Sequence, residues 1–387
     1  MNHRPSLTYL RSLQTRYARA RKKAKGVILD EFTQTTGCNR DYAIRLLRDQ
    51  YQYATRPIRH LRARYYTPED AAALEHLADL LDGLCSKLLQ AAIPPILPQL
   101  RADGTLQISD ACAHHLLEVS PATIDRLLAH RRPKGKRRRG FTKPGTLLKH
   151  RIPVRTWGET LPDTPGHWDI DLVDHSGGNA SGEFAHTLDM VDVFSQWTEQ
   201  RAVRTKAQAL VFAQLQSARG DLPFPLLAIH SDSGSEFIND QLYRYCRAEQ
   251  LHFTRGRAGK KNDNPRVEQK NWSVVRRLAG YGRYDTQKQV DQLNALYAVA
   301  RWHNNFFRPV MKLQAKQRDG SKVKKIFDAP KTPYQRLRES DQLSRAAKRK
   351  LKATYESLNL TEVKAELDRR IAALKPSRTF TDTQSDS

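Results

Sequence analysis

Two periodicities divide the chain. Up to about residue 130, apolar residues recur three and four apart, the spacing of one helix face. Val27, Ile28, Leu29 and Phe32 form such a stripe, Thr36-Gly37 interrupts it, and Asn39 stands where it can cap a second helix carrying Ala43, Ile44 and Leu47. Thr67-Pro68-Glu69-Asp70 combines a hydroxyl cap, a first-turn proline and two acids placed against the helix dipole. Leu74, Leu77, Leu81, Leu84 and Leu88 follow at helical spacing. In ISDACAHHLLEVSPATIDRLLAHRR, residues 108–132, Ala111, Leu116 and Leu117 precede a turn, and Ser120-Pro121 caps a helix whose inner face holds Ile124, Leu127 and Leu128. Each pair has the helix-turn-helix outline, with a plain helical hairpin as the alternative.

From about residue 158 the period changes to two. WDIDLVDH, FAHTLDMVDVF and TEQRAV alternate as strands do, with GGNASGE as a turn after the first. A helix over 207–219, the strand LLAIHSD, a helix over 240–249, the strand HFTRGR and a helix over 267–278 come next. Three strands, then helix, strand, helix, strand, helix predict a mixed α/β layer arrangement. Further on, residues 286–307 look helical and MKLQAKQRDGSKVKKIF alternates around Asp319-Gly320, a hairpin signal. Leu360, Val363, Leu367, Ile371 and Leu374 mark a last amphipathic helix. The expected domains are 1–60 and 61–132, both helical and DNA-binding, a basic linker 133–157, an α/β core 158–283, C-terminal helices and hairpin 284–376, and a disordered tail 377–387.

Charge narrows the partner. The chain has 387 residues, 66 Lys+Arg against 41 Asp+Glu, and a formal net charge of +25. Such an excess favours a polyanion, and the absence of a long uncharged apolar span or a lipidation motif argues against a membrane. The start, MNHRPSLTYLRSL, lacks a secretory apolar region, so the cytoplasm, near the nucleoid of a bacterium, is expected. Cys38, Cys85, Cys112 and Cys246 are scattered without metal-binding spacing and read as buried thiols. No phosphate-cradling G-x-x-x-x-G-K-[ST] motif is present, so no nucleotide cofactor is expected.

The chemistry lies in three acids. AIHSDSGSEF, residues 228–237, runs from an apolar strand into Asp232, which either caps the next helix or holds a metal. Trp168-Asp169-Ile170-Asp171 stands on the first strand of the core, and Val267-Glu268-Gln269-Lys270 on the helix after KKNDNP, with 35 residues between Asp232 and Glu268. Asp169 and Asp171 share a strand face, so either could be the first ligand. W-x-x-D, H-S-D-x-G-S-E-F and N-D-N-x-x-V-E-Q at this spacing resemble the DD(35)E core of retroviral-integrase-like transposases, and Asp192-Val193-Phe194-Ser195 is similar to the D-x-F-S of that core. KNDNPRVEQKNW, YESLNLTEVKAEL and the paired helix-turn-helix segments resemble bacterial insertion-sequence transposases.

The resemblance implies a multidomain protein: an N-terminal all-α helix-turn-helix region, a central α/β ribonuclease-H-like catalytic core with a mixed sheet, and a C-terminal helical region with a small β-hairpin. It implies that Asp171, Asp232 and Glu268 are catalytic and hold two Mg²⁺ ions, with Mn²⁺ as a substitute, for DNA cleavage and strand transfer. W-x-x-D spacing selects Asp171 over Asp169. Terminal-repeat and target duplex DNA, and a homo-oligomer on that DNA, are the implied partners. Candidate DNA contacts are Arg40, Arg45 and Arg48 on the second helix, Lys134, Lys136, Arg137, Arg138 and Arg139 in the linker, and Lys260, Lys261, Asn264, Arg266 and Lys270 around Glu268. Asn264 is equally placed to cap that helix. Asp174, Asp189, Asp192 and Glu236 are expected to be structural or solvated, His230 a packed strand residue, and Trp168 and Trp272 core residues. An inactive DNA-binding regulator and a structure-selective nuclease of the same fold are the rival readings.

Overall fold

The computed structural model describes residues 7–48, 65–131, 162–231, 237, 239–256, 265–320 and 322–377, in two compact units that meet at Tyr65 and Tyr66. The linker expected at 133–157 and the tail from 378 lie outside these residues.

The first unit holds α1 (Leu7–Arg19), α2 (Lys22–Thr36) and α3 (Arg40–Arg48) around one small core of Leu10, Leu13, Phe32, Ala43, Leu46 and Leu47. Gly37 ends α2 in the left-handed conformation, φ 66°, and its N–H reaches the Thr33 carbonyl at 2.8 Å. Asn39 Oδ1 then accepts from Asp41 N, 2.9 Å, at the start of α3. Val27, expected in the buried stripe, is 67% exposed; Ile28, Leu29 and Phe32 supply that face instead.

The second unit opens with α4 (Pro68–Leu80), α5 (Ser86–Ala102), α6 (Asp110–Glu118) and α7 (Pro121–Leu127). Thr67 and Asp70 close a reciprocal capping box on α4, as the sequence suggests. The leucine run from 74 to 88 is not one helix: Asp82 (φ 53°) and Gly83 (φ 57°) turn the chain left-handed between α4 and α5. Ser120 caps α7 through Thr123 N, 3.2 Å.

The sheet follows, from β1 (His167–Asp174), β2 (His186–Asp192), β3 (Thr198–Val203), β4 (Ala228–Ser231) and β5 (His252–Arg255), with α8 (Gln208–Gly220) and α9 (Asp240–Ala248) between its later strands. Its order is β3-β2-β1-β4-β5, antiparallel at β3-β2-β1 and parallel at β1-β4-β5. Strand alternation gives the sheet two faces. Trp168, Ile170, Leu188 and Met190 pack with Val211, Leu215, Leu242 and Cys246 of α8 and α9. The other face carries Asp169, Asp171 and Val173.

Above that face run α10 (Pro265–Lys270), a π-helical turn (Asn271–Arg276), α11 (Arg277–Ala279) and α12 (Gln287–Trp302), whose Val275, Val290, Leu293 and Tyr297 pack on Val173, Ala185 and Ala202. A second π-helical turn (His303–Phe307), the hairpin β6 (Leu313–Asp319) and β7 (Lys322–Phe327), and α13 (Pro333–Glu339), α14 (Arg345–Ser357) and α15 (Leu360–Ala373) complete the unit. Leu74, Leu97, Leu116 and Ile124 share one core with Tyr334, Leu337, Leu351 and Leu360, so α4–α7 are built into the C-terminal helices. Among the described residues no helix is long and apolar enough to cross a membrane. Cys112 and Cys246 are buried as expected, but Cys85 is exposed at the start of α5 and Cys38 is half-buried; none of the four forms a disulfide.

Candidate active site

Asp171 lies in the middle of β1, half-buried, directly opposite Asp189 of β2, which is itself opposite Gln200 of β3. Its Oδ1 accepts from Leu172 N at 2.9 Å and its Oδ2 from Asn271 Nδ2 at 2.6 Å. Asp169, two residues earlier on the same face, is fully buried. Of the two acids, only Asp171 has a partly exposed side chain.

The helix over this face explains the Asn271 contact. Val267, Lys270 and Val274 stand three and four apart and are all buried, so they form the stripe that faces the sheet. Asn271 stands one residue past Lys270 and reaches Asp171 of β1, and it opens a π-helical turn, a feature frequent at functional sites. Asn271 is a residue the sequence reading missed, although its offset of three from Glu268 was the available signal. Glu268 is carried on α10, with its side chain outside the description.

Lys270 corrects an expectation. It is 8% exposed because it occupies the apolar stripe, and so does not present its ammonium to phosphates in this conformation. Burial, with Arg308 and Arg336 adding to it, pushes Lys270 down to about 8 against the opposing pull of Asp189. Burial likewise raises Asp189 to about 7, although Gln200 Nε2 donates to it at 2.8 Å and Lys270 favours its charge. Asp189 and Lys270 are thus both buried behind Asp171, each favouring the other's charge without forming an ion pair. Trp272 departs from expectation too: it is 42% exposed, while Trp168 is in the core.

The other acids are structural. Asp192 is buried and accepts from Gly166 N (2.8 Å), His167 N (3.2 Å), Ser195 N (2.7 Å) and Ser195 Oγ (2.5 Å), so the D-V-F-S turn closes on its own carboxylate. Burial raises it, and those donors pull the other way. Asp174 pairs with His186 Nε2 at 3.2 Å. His230 is buried on β4, with Nδ1 2.9 Å from Thr254 Oγ1.

Asp232, Glu236, Lys260, Lys261 and Asn264 lie outside the described residues, as do Lys134, Lys136, Arg137, Arg138 and Arg139; Arg266 is described by its backbone alone. Two facts bear on Asp232. Ser231, the residue before it, pairs with Ile170, the residue before Asp171. The next described helix, α9, takes its cap from Asn239, whose Oδ1 accepts from Leu242 N at 2.8 Å, so that helix does not need Asp232 as a cap. Among the described residues no cluster of three metal-ligating side chains occurs. Arg40, Arg45 and Arg48 are exposed on α3; Arg40 pairs with Asp30 of α2, and the Arg45 guanidinium lies 5.8 Å from the Tyr42 ring centre.

A five-stranded mixed sheet with helices on both faces and an acid on its central strand is the ribonuclease-H-like layout, and the model of the integrase core domain matches residues 162–261. The central region is an integrase core. Over 324 residues the chain is 40% identical to "Uncharacterized protein y4rM" of Sinorhizobium fredii, covering 83% of this chain and 91% of that one. The chain belongs to the y4rM family, and residues 162–261 of this member match the integrase core domain. Among solved structures, a simian T-cell lymphotropic virus intasome matches 55% of this chain and 70% of its own at 16% identity and a TM-score of 0.32. The catalytic core domain of BIV integrase matches 44% and 91% at 19% identity and a TM-score of 0.30. At these scores the likeness carries no argument.

Proposed function

We propose that the chain is a metal-dependent DNA transposase that binds the ends of its element, cleaves there and joins the 3′ ends to target DNA. The observation that carries this reading is the convergence on Asp171: α10, which bears Glu268, crosses the sheet and its continuation fixes Asp171 through Asn271, while β4 runs alongside up to the residue before Asp232. Central strand, the end of the adjacent strand and overlying helix are the three supports the sequence resemblance calls for.

Asp171 suits a divalent ion by its chemistry. It offers hard anionic oxygens at a half-buried position, and Asn271 orients the carboxylate rather than neutralising it. Asp171, Asp232 and Glu268 would hold Mg²⁺ or Mn²⁺, two ions in the reading adopted here. Bound there, such ions lower the cost of an attacking oxyanion and of charge on the leaving oxygen. The chain's own residues do the rest. Asn271 holds Asp171 in one orientation, and Gln200 holds the buried Asp189 on the neighbouring strand. Arg40, Arg45 and Arg48 on α3, the linker cations 134–139, and Lys260, Lys261, Asn264 and Arg266 would engage duplex DNA, with Lys270 removed from that set by its burial. Two element ends held together call for more than one copy of the chain.

The test is Mg²⁺-dependent joining of DNA taken from the flanks of the coding region into a plasmid, with Asp232→Asn as the control. Joined product from the wild type and none from the variant, at equal DNA binding, is the expected result. Equal joining by both proteins contradicts the site assignment. Binding without joining by either protein makes the chain a regulator, and cutting without joining makes it a nuclease.

A further inference from the structure

The β6–β7 hairpin is not explained by the site above. Its base is fixed. Lys312 N donates to Asp328 Oδ1 at 2.6 Å, Asp328 N donates to the Lys312 carbonyl at 3.0 Å, and Arg336 clamps both Asp328 and the Val310 carbonyl. Lys312 Nζ donates to the Phe194 carbonyl at 2.7 Å, tying the ribbon to the turn after β2.

Beyond that base the ribbon gains little from the fold. Gln314, Ala315, Gln317, Arg318, Lys324 and Lys325 are exposed, and Val323 and Phe327 are each 45% exposed. A two-stranded ribbon in water is marginal without an apolar face to bury. Its charge adds to the cost: residues 312–325 contain six Lys or Arg and a single acid, Asp319. Lys324 and Lys325 follow one another on β7, opposite Gln317 and Lys316 in the backbone register. Among the described residues, Arg318, Lys324 and Lys325 make no ion pair that would relieve this. A dense external polyanion relieves it.

We infer that the β6–β7 ribbon is a DNA-binding arm that lies in the major groove of duplex DNA, with Arg318, Lys324 and Lys325 facing phosphates. The dimensions agree. Strands of this length span roughly 20–24 Å, and two strands about 5 Å apart fit a groove roughly 12 Å wide. Half-exposed Val323 and Phe327 would meet sugars and thymine methyls there. The arm deepens the transposase reading and rests on it for its partner.

The experiment is equilibrium binding of a labelled duplex across a salt series, with a dimethyl sulfate footprint of guanine N7. It compares the wild type, Lys324→Gln/Lys325→Gln, and a charge-matched control on α14, Arg349→Gln/Lys350→Gln. The ribbon variant is expected to bind about 10-fold more weakly near 0.1 M salt. The slope of log affinity against log salt should shrink by about 1.8, roughly 0.9 for each lost phosphate contact. Guanine N7 protection should be lost with the arm, and the melting temperature should not move because both lysines are exposed. Unchanged affinity and slope, a loss no larger than the control's, or intact N7 protection overturns the arm while leaving the transposase reading standing. A wild type that binds no duplex at any salt overturns both.

Discussion

The sheet and the ribbon treat charge in opposite ways. In the sheet, Asp169, Asp189, Asp192 and Glu199 are all buried. Asp192 holds a turn closed with four donors, and Glu199 takes Trp197 Nε1 and Arg301 Nε, each at 2.8 Å. In the ribbon, Arg318, Lys324 and Lys325 point to water. Buried charge survives only when the protein supplies its partners, and exposed charge without partners faces something outside. Asp171 stands between these cases: half-buried, with Asn271 Nδ2 and the Leu172 amide donating to its carboxylate. In the proposed function, that intermediate setting is what would separate a working carboxylate from its structural neighbours.

The comparison can be broken at each carboxylate. Asp171→Asn should reduce DNA joining by more than about 10³-fold, upward of roughly 4 kcal/mol of transition-state stabilisation, with little change in melting temperature. Asp192→Ala should do the reverse. Leaving four buried donors without an acceptor should cost about 3–4 kcal/mol of stability by denaturant titration, with loss of activity only through unfolding. If Asp171→Asn unfolds the protein, or Asp192→Ala leaves its stability unchanged, the division between working and structural acids fails.

Asn271→Ala sharpens the same contrast. Freeing Asp171 should lower joining about 10–100-fold and weaken the metal dependence, as loss of a partner behind a metal ligand does. A shift in the Mg²⁺ concentration for half-maximal activity distinguishes this from a packing defect, and Asn271→Gln should restore part of it.

The smallest effect is a pH slope. Burial, with Arg276 adding to it, pushes His175 down to about 3, and Nε2 lies 2.7 Å from Thr187 Oγ1. An unfolded histidine titrates near 6.5. The unfolded chain therefore takes up this proton first as the pH falls. Stability from neutral His175 is complete above about 6.5 and drains away as pH drops toward about 3. His175→Gln should flatten that acid limb by up to one proton, about 1.4 kcal/mol per pH unit. An unchanged limb contradicts the burial account of His175.

Much of this was legible in the sequence because the relevant signals are local. Period-two runs located β1 to β3, Thr67 with Asp70 marked the start of α4, and Asp319-Gly320 marked the hairpin. The helix expected over 267–278 is there as α10 and its continuation, while Asp171 and Glu268 were singled out by the resemblance to the integrase-like core. What escaped depended on which side of an element faces inward. Lys270 reads as a surface cation until its offsets from Val267 and Val274 are counted, and Asn271 reads as polar filler until the helix is laid on β1. The helices α13 and α14 carry too few apolar positions to announce themselves; Leu351 is the one buried residue of α14. That α4–α7 share a core with the C-terminal helices is a long-range fact, seen in Gln99 Nε2 donating to the Leu358 carbonyl at 2.9 Å. No local pattern encodes it.

Crystals soaked in Mn²⁺ and measured at its absorption edge test the central claim most directly. Anomalous peaks within roughly 2.0–2.3 Å of Asp171, weakened or lost in Asp232→Asn and Glu268→Gln crystals, are the predicted result. Strong manganese peaks elsewhere with none at Asp171, or a peak at Asp171 indifferent to both substitutions, would contradict it.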